Sequence, residues 1–438
     1  MPDTPHPLGL ALSGGGYRAT AFHLGTLKKL HEMNLLDKVD VVSTISGGSI
    51  TGAAWCLSDK PYMEFHADMV AKLQTKNVLK WVFTSFTFFK TLLFLLVFLG
   101  GTIYLLFTCW APFSPLVFLL MCFLLYKFQY KIFPVSKEIE RAYDSFFFNK
   151  QTLKDLRDKH IIAIGSSNLQ TGRPFTFSKN HMGDSAYGSS SSYKPPIFFK
   201  PELFPVSRAV MASSCVPFAF SPVLIATDYF KDAADAKRVH PQLIDGGVYD
   251  NQGIQKITQQ DSFYCCQNVI VSDAGGNFSA NLKYPNAVSL LMRTVDLFMY
   301  RIKASSMVQH IYNNVHGAGR PIAYFSLGWE LIWCIPGFIK NMIEGQVLPS
   351  VIQAHGFKEE WIKDPVHHQG EIKTHLETVT GYAEILKRNL TDAQWEFARK
   401  TGTNLTPLSK DNIDWLIIQA ENMTELQVKL YCPHLLPK

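Results

Sequence analysis

The sequence predicts an α/β fold: a single three-layer α/β/α domain with a mainly parallel sheet, an inserted transmembrane helical hairpin and C-terminal helices. Three observations predict it. The first sixty residues alternate short apolar runs with helical patterns, an uncharged twenty-residue stretch follows them, and most segments after residue 350 read as helix. Strand and helix in alternation is how a parallel α/β sheet begins.

Leu8–Leu12 is a short apolar run that stops at Ser13-Gly14-Gly15-Gly16. From Ala19 to Met33 the apolar residues Phe22, Leu24, Leu27 and Leu30 recur on one side of a helix. Val39–Ile45 is a β-branched run ended by Ser46-Gly47-Gly48, and Ile50–Leu57 is again helical in pattern. Further strands are expected at Ile161–Ile164, Pro174–Phe177, Gln242–Ile244 and Asn268–Val271, with a helix at Val206–Met211. Tyr187–Tyr193 (YGSSSSY) reads as a polar surface loop. Trp329–Ile339 (WELIWCIPGFI) admits two readings, an interfacial segment carrying Trp or a core helix broken at Pro336.

Thr91–Trp110 carries no charge and is dominated by Leu and Phe. As a helix it reaches about 30 Å, the thickness of a bilayer core. Ala111-Pro112-Phe113-Ser114-Pro115 cannot continue a straight helix, and Leu116–Tyr126 is again apolar. Two such arms form a hairpin whose outer ends, bearing Lys80, Lys90, Lys127 and Lys131, lie on one side. The positive-inside tendency turns those ends to the cytoplasm. A re-entrant hairpin is the rival of a spanning one, because the second arm is short before its first lysine.

The formal charge of +6 is mild, and no block of basic residues suggests nucleic acid. The excess suits an anionic membrane surface. Eight cysteines without a C-x-x-C pair suggest a reduced, intracellular setting, and the N-terminus shows no secretory signal pattern.

A serine nucleophile needs a sharp strand-to-helix turn, a base and donors for the developing oxyanion. Val39–Ile45 running into Ser46-Gly47-Gly48 supplies the turn, with Thr44 at the first glycine position of G-x-S-x-G. The plainer reading of Ser46 is a helix cap. Gly14-Gly15-Gly16 forms a nest of backbone N–H groups suited to a phosphate or an oxyanion, with the Arg18 cation beside it. The run fits neither the P-loop pattern nor G-x-G-x-x-G, whose last glycine is Ala19 here. None of the fourteen histidines has a context that marks a triad member. Asp245, at the end of the Gln242–Ile244 strand and followed by Gly246 and Gly247, is the candidate base, with Asp250 and Asp273 as competing acids. As a base it needs burial to raise its pKa, and the plainer reading is an Asp-Gly turn.

Glycine run, nucleophile elbow and Asp-Gly-Gly in that order resemble the patatin-like phospholipases. Gly14-Gly15-Gly16-Tyr17-Arg18 corresponds to the family's oxyanion motif. Thr44-Ile45-Ser46-Gly47-Gly48 corresponds to its nucleophile motif, and Asp245-Gly246-Gly247 to its second catalytic element. Ala209–Phe220, Val248–Gly253 and Val271–Gly276 are also similar to family segments. The resemblance implies a Ser46–Asp245 dyad without histidine or metal, needing no cofactor, that hydrolyses acyl lipids of a bilayer through an acyl-enzyme. Thr44 and Ala19 stand where the family's motifs have glycine. The implied organisation is a catalytic domain of residues 1–80 and 135–325, split by a hairpin at 81–134 and followed by a helical region at 326–438. An acyltransferase or thioesterase using the same dyad, and a membrane-perturbing or scaffold protein, are the alternatives. The head-group preference, a regulator and a homo-oligomer are left open.

Overall fold

The computed structural model describes residues 4–188, 193–260, 262–276, 283–311, 315 and 319–437. Ser189–Ser192 of the expected polar loop lie outside the described residues. The chain opens with β1 (His6–Leu12), α1 (Gly16–Glu32), β2 (Val41–Ile45) and α2 (Gly47–Leu57), so the expected strand–helix alternation is present. Then come α3 (Tyr62–Thr75), α4 (Val78–Phe83), α5 (Phe86–Leu106), α6 (Ser114–Ile132) and α7 (Val135–Tyr143). The chain returns to the sheet with β3 (Ile161–Asn168), β4 (Arg173–Ser178) and β5 (His181–Gly183). There follow α8 (Val206–Ser213), β6 (Val223–Leu224), β7 (Gln242–Asp245), α9 (Gly247–Asp250), α10 (Ile254–Thr258) and β8 (Cys266–Asp273). The last part holds α11 (Ala287–His310), β9 (Ile322–Ser326), α12 (Cys334–Ile343), α13 (Pro349–His355), α14 (Glu359–Lys363), α15 (Gln369–Thr380), α16 (Tyr382–Lys387), α17 (Asp392–Arg399) and α18 (Lys410–Tyr431).

The centre of the sheet, in the order β3-β2-β1-β8-β9, is parallel throughout. β4, β5, β6 and β7 are antiparallel additions on the β3 side. Helices cover both faces, which gives three layers. Leu8, Leu10 and Leu12 of β1 point into a large core shared with α1, α2 and α18. Ala11 and Val41 point the other way, toward Ile254 and Ile257 of α10 and Met307 of α11. That alternation is the two-residue period of a strand buried on both faces.

The C-terminal helix is part of the main layer. Gly25 of α1 lies so close to α18 that a Cβ would sit 2.4 Å from the Ile417 carbonyl oxygen. Lys28–Glu421 (2.5 Å) and Lys29–Glu425 (3.3 Å) flank the crossing. α12 is the core helix of the two readings of Trp329–Ile339: Ile335, Phe338, Ile339 and Met342 are buried. Pro336 does not break it, because it falls in the first turn, where its missing N–H costs nothing.

α5 and α6 are the two arms of the expected hairpin. α5 has no buried residue, and both it and the helical stretch containing α6 are long and apolar enough to cross a membrane by length and composition. The arms are tied by Ser114 Oγ donating to the Thr102 carbonyl at 2.7 Å near the turn. At the base, Thr91 Oγ1 donates to the Ile132 carbonyl at 2.9 Å. α6 leaves helical geometry at Phe128 (φ −122°, ψ 16°), just past Lys127.

Candidate active site

β2 ends at Ile45, opposite Gly165 of β3. One step further along β3, Ser166 is opposite Asp245 of β7. β7 therefore runs antiparallel into the lane that β2 leaves, and the two strands meet end to end at Ser46 and Asp245. The sequence puts Asp245 at the end of a strand, and it does end β7, which runs antiparallel to β3 within a mainly parallel sheet.

Ser46 adopts φ 49°, ψ −116°, a backbone region that costs a non-glycine residue ~1–3 kcal/mol. The surroundings enforce it. The Ser46 N–H donates to Ser213 Oγ at 2.9 Å, and Ser213 Oγ is also 2.9 Å from Ser49 Oγ. Ser49 in turn donates to Thr44 Oγ1 at 3.0 Å, so Thr44 anchors the elbow where a glycine was expected. The turn is close-packed as well. A Cβ on Gly47 would come within 2.2 Å of the Gly16 carbonyl oxygen, and one on Gly48 within 2.4 Å of the Leu12 carbonyl oxygen. The helix-cap reading of Ser46 fails, since its side chain caps nothing in α2.

The Ser46 side chain instead stands beside the Asp245 carboxylate, near enough to lower its pKa. The Gly247 N–H donates to Asp245 Oδ1 at 2.7 Å, while the Asp245 N–H reaches the Cys215 carbonyl at 2.8 Å. Gly246 presses against the Gly165 carbonyl, where a Cβ would sit 2.5 Å away. Ser46 is 7% and Asp245 5% exposed, so bulk water is largely excluded. Burial pushes the Asp245 carboxyl up to about 7, against the lowering effect of the Gly247 N–H and the nearby Ser46 hydroxyl. An acid poised there can take a proton near neutrality.

The competing acids are engaged elsewhere. Asp250 receives the N–H groups of Gln252, Gly253 and Gln255 and so ties the turn leading into α10. Asp273 is paired with Lys303 of α11 at 2.6 Å. Burial would raise its pKa, but Lys303, Tyr324 and the Gly275 N–H outweigh burial and hold it at about 2. His23 is buried between the Ser13 carbonyl and Ser272 Oγ, and burial lowers its pKa to about 4. Among the described residues no histidine hydrogen-bonds Ser46 or Asp245.

The glycine run reaches the same point. A Cβ on Gly14 would lie 3.2 Å from Ser46 Cβ. The Gly14 N–H is already given to the Asn251 carbonyl at 3.0 Å. Those of Gly15 and Gly16 have no acceptor among the described residues. Gly15 has φ 140° and Gly16 φ 57°, conformations that favour glycine. Arg18 extends along this loop, with Nη2 3.3 Å from the position of a Gly15 Cβ and Nη1 donating to the Thr401 carbonyl at 3.0 Å. Burial lowers its pKa, opposed by the nearby Asp273.

Several contributors carry no sequence signal that singled them out. Ser213 lies within the family-like Ala209–Phe220, but nothing in that segment marked it as the support of the elbow. The segment 401–404 supplies three carbonyls to the glycine loop: Thr401 to Arg18, Asn404 to the Tyr17 N–H at 3.2 Å, and Thr403 against Gly16. α11 lies over the far side, where Met299 Cε would be 3.0 Å from a Cβ on Gly247.

A family model described as "Patatin-like phospholipase" matches residues 10–255, more than half of the chain. No curated protein sequence matches. Among solved structures, VipD from Legionella pneumophila is similar over 99% of this chain and 89% of its own, at 12% identity and a TM-score of 0.33. Human GIVD cytosolic phospholipase A2 is similar over 98% of this chain at 13% identity and a TM-score of 0.47, and this chain spans 59% of it. Full-length ExoU with SpcU from Pseudomonas aeruginosa gives 94% and 77% coverage, 12% identity and a TM-score of 0.24. At such scores these likenesses carry no argument about chemistry.

Proposed function

The chain belongs to the patatin-like phospholipase family, and from that membership we propose that it is a membrane-attached serine hydrolase of acyl lipids, of phospholipase A or lysophospholipase type. The observation that carries the reading is Ser46 standing beside a buried Asp245 whose pKa is close to neutral. In the first step Asp245 takes the Ser46 hydroxyl proton while Oγ attacks the ester carbonyl carbon. The resulting oxyanion lies against the free N–H groups of Gly15 and Gly16, with Gly14 shaping the loop and Arg18 adding positive charge behind it. Asp245 then returns the proton to the leaving alcohol, which leaves an acyl group on Ser46. Water, deprotonated by the same carboxylate, releases the fatty acid and restores the dyad. Every proton passes through one carboxylate, so the cycle needs no histidine.

The hairpin, residues 81–134, is read as the membrane anchor inserted between the two parts of the catalytic domain, residues 1–80 and 135–325, with 326–438 as its helical extension. Support comes from its exposure: Phe86, Leu93, Leu96, Phe107 and Leu119 all face outward. Each such side chain left in water forgoes roughly 1.5–3 kcal/mol of transfer free energy. Lys80, Lys90, Lys127 and Lys131 all stand at the end nearer the catalytic domain, which supports a cytoplasmic reading of that domain. Substrate then reaches the dyad from the bilayer instead of through water.

The test is reconstitution of the wild type and Ser46→Ala in phospholipid vesicles, with free fatty acid followed by mass spectrometry. Release by the wild type alone supports the hydrolase. Equal release by both variants overturns the dyad, and leakage of vesicle contents without release supports a membrane-perturbing protein instead.

A further inference from the structure

A cavity of about 460 Å3 lies where the end of α6 meets α7, α8 and the β6–β7 edge. Lys127, Lys131, Lys137 and Arg208 line it, with Glu140 as the acidic residue of the lining. None of the four cations has a carboxylate within ion-pair distance among the described residues. Burial raises the Glu140 pKa, against the lowering pull of Arg208 and Lys137. Arg208 is fixed by its Nη2 donating to the Leu224 carbonyl at 3.0 Å and by the faces of Phe204 and Tyr229. Its Nε is buried with no acceptor among the described residues, and a buried donor left unsatisfied costs ~1–3 kcal/mol. Lys127 and Lys131 lie over the Phe128 ring at 5.6 and 5.8 Å, where α6 bends, and this holds both ammonium groups at the mouth.

Four converging cations, a fixed guanidinium with a free donor and an apolar wall together suit a phosphate that carries acyl chains. We propose that this cavity binds the phosphate headgroup of an anionic phospholipid, as a site separate from the Ser46–Asp245 dyad. The preference for a lipid over free phosphate rests on the membrane reading of the hairpin, which sets the end of α6 at headgroup depth. The chemistry of the phosphate itself rests only on the lining.

The full chain carrying Ser46→Ala, which prevents turnover, is titrated in neutral maltoside micelles with dioctanoyl phosphatidylglycerol, dioctanoyl phosphatidylcholine or inorganic phosphate. Calorimetry and native mass spectrometry read the binding. The anionic lipid binds about tenfold or more tightly than the zwitterionic one, and Lys127→Gln/Lys131→Gln/Lys137→Gln removes that preference. Arg208→Gln does the same if its circular dichroism is unchanged, and the triple variant at exposed lysines stands if it does not fold. A control triple at Lys340, Lys358 and Lys363 keeps the preference. Equal binding of the two lipids, a preference that survives the cavity variant, or an equal loss in the control overturns the site. Inorganic phosphate binding as tightly as the lipid overturns the lipid assignment.

Discussion

The main-chain carbonyl of Asn404 accepts the Tyr17 N–H at 3.2 Å, which joins the C-terminal segment to the first turn of α1. The same segment runs on to give the Leu405 carbonyl to Val78 of α4, and Leu408 donates its N–H to the Leu73 carbonyl of α3. One stretch of chain therefore connects the glycine loop at the dyad with the helices that lead into the hairpin. Its contribution to the site is backbone geometry. Three carbonyls fix where Gly16, Tyr17 and Arg18 lie, and so where the free N–H groups of Gly15 and Gly16 point.

Gly16→Ala tests that arrangement. The added Cβ would lie 2.1 Å from the Thr403 oxygen, at a residue with φ 57°, so the loop or the C-terminal segment must shift. A shifted loop misaims an oxyanion donor, and losing one such donor costs about 10²–10³ in kcat. Hydrolysis of a small soluble ester shows the fall in kcat with KM little changed and circular dichroism intact. A KM effect with full kcat would place the loop in binding instead.

Removing either partner of the dyad is expected to abolish turnover while the fold survives. Ser46→Ala and Asp245→Asn each lower kcat by about 10⁴ or more. Their combination costs little more than either alone, because the two groups act as one unit. Additive losses in the double variant would show that Asp245 acts independently of Ser46.

With Asp245 at about 7, the pH dependence of activity has a definite sign. The base must be ionised, so kcat/KM rises from pH 5.5 to 8 with its midpoint near 7, and a profile flat across that range excludes Asp245 as the base. Stability runs the other way. The folded-state pKa lies above the ordinary carboxylate value of 3.8, so the folded protein keeps a proton that the unfolded chain has released. This contribution is fully present below about pH 4 and is lost as pH rises through about 7. Its size is on the order of a few kcal/mol. Asp245→Asn lacks that loss, and urea titrations of the two proteins diverge progressively between pH 4 and 7.

Those groups were legible in the sequence because each sits at a visible interruption. Ser46 and Asp245 end apolar runs at paired glycines, where a strand must stop and turn. The strand direction of β7 was not legible, since Gln242–Asp245 is too short to say which neighbour it pairs with. β9 escaped as well: Ile322–Ser326 is buried on both faces and so shows no alternation. Ser213 could not be told from Ser214 beside it, although only Ser213 meets the Ser46 amide. The carbonyls of 401–404 have no side-chain signature at all, because any residue supplies the same atom.

The depth of the hairpin is decided by one cysteine. Cys109 and Cys122 are the two exposed cysteines, and the other six are buried. Cys109 lies at the turn, next to Trp110, while Cys122 lies in the apolar arm. α5 is 21 residues long, a reach of about 31 Å. α6 bends at Phe128, so its straight part is shorter. In sealed vesicles of known orientation, a membrane-impermeant maleimide marks Cys109 from the face opposite the catalytic domain if both arms cross. Cys122 stays unlabelled from either side. Labelling of Cys109 from the catalytic face alone would show that the hairpin lies along the surface. Protection of Cys109 from both faces would show a re-entrant hairpin that ends within the bilayer.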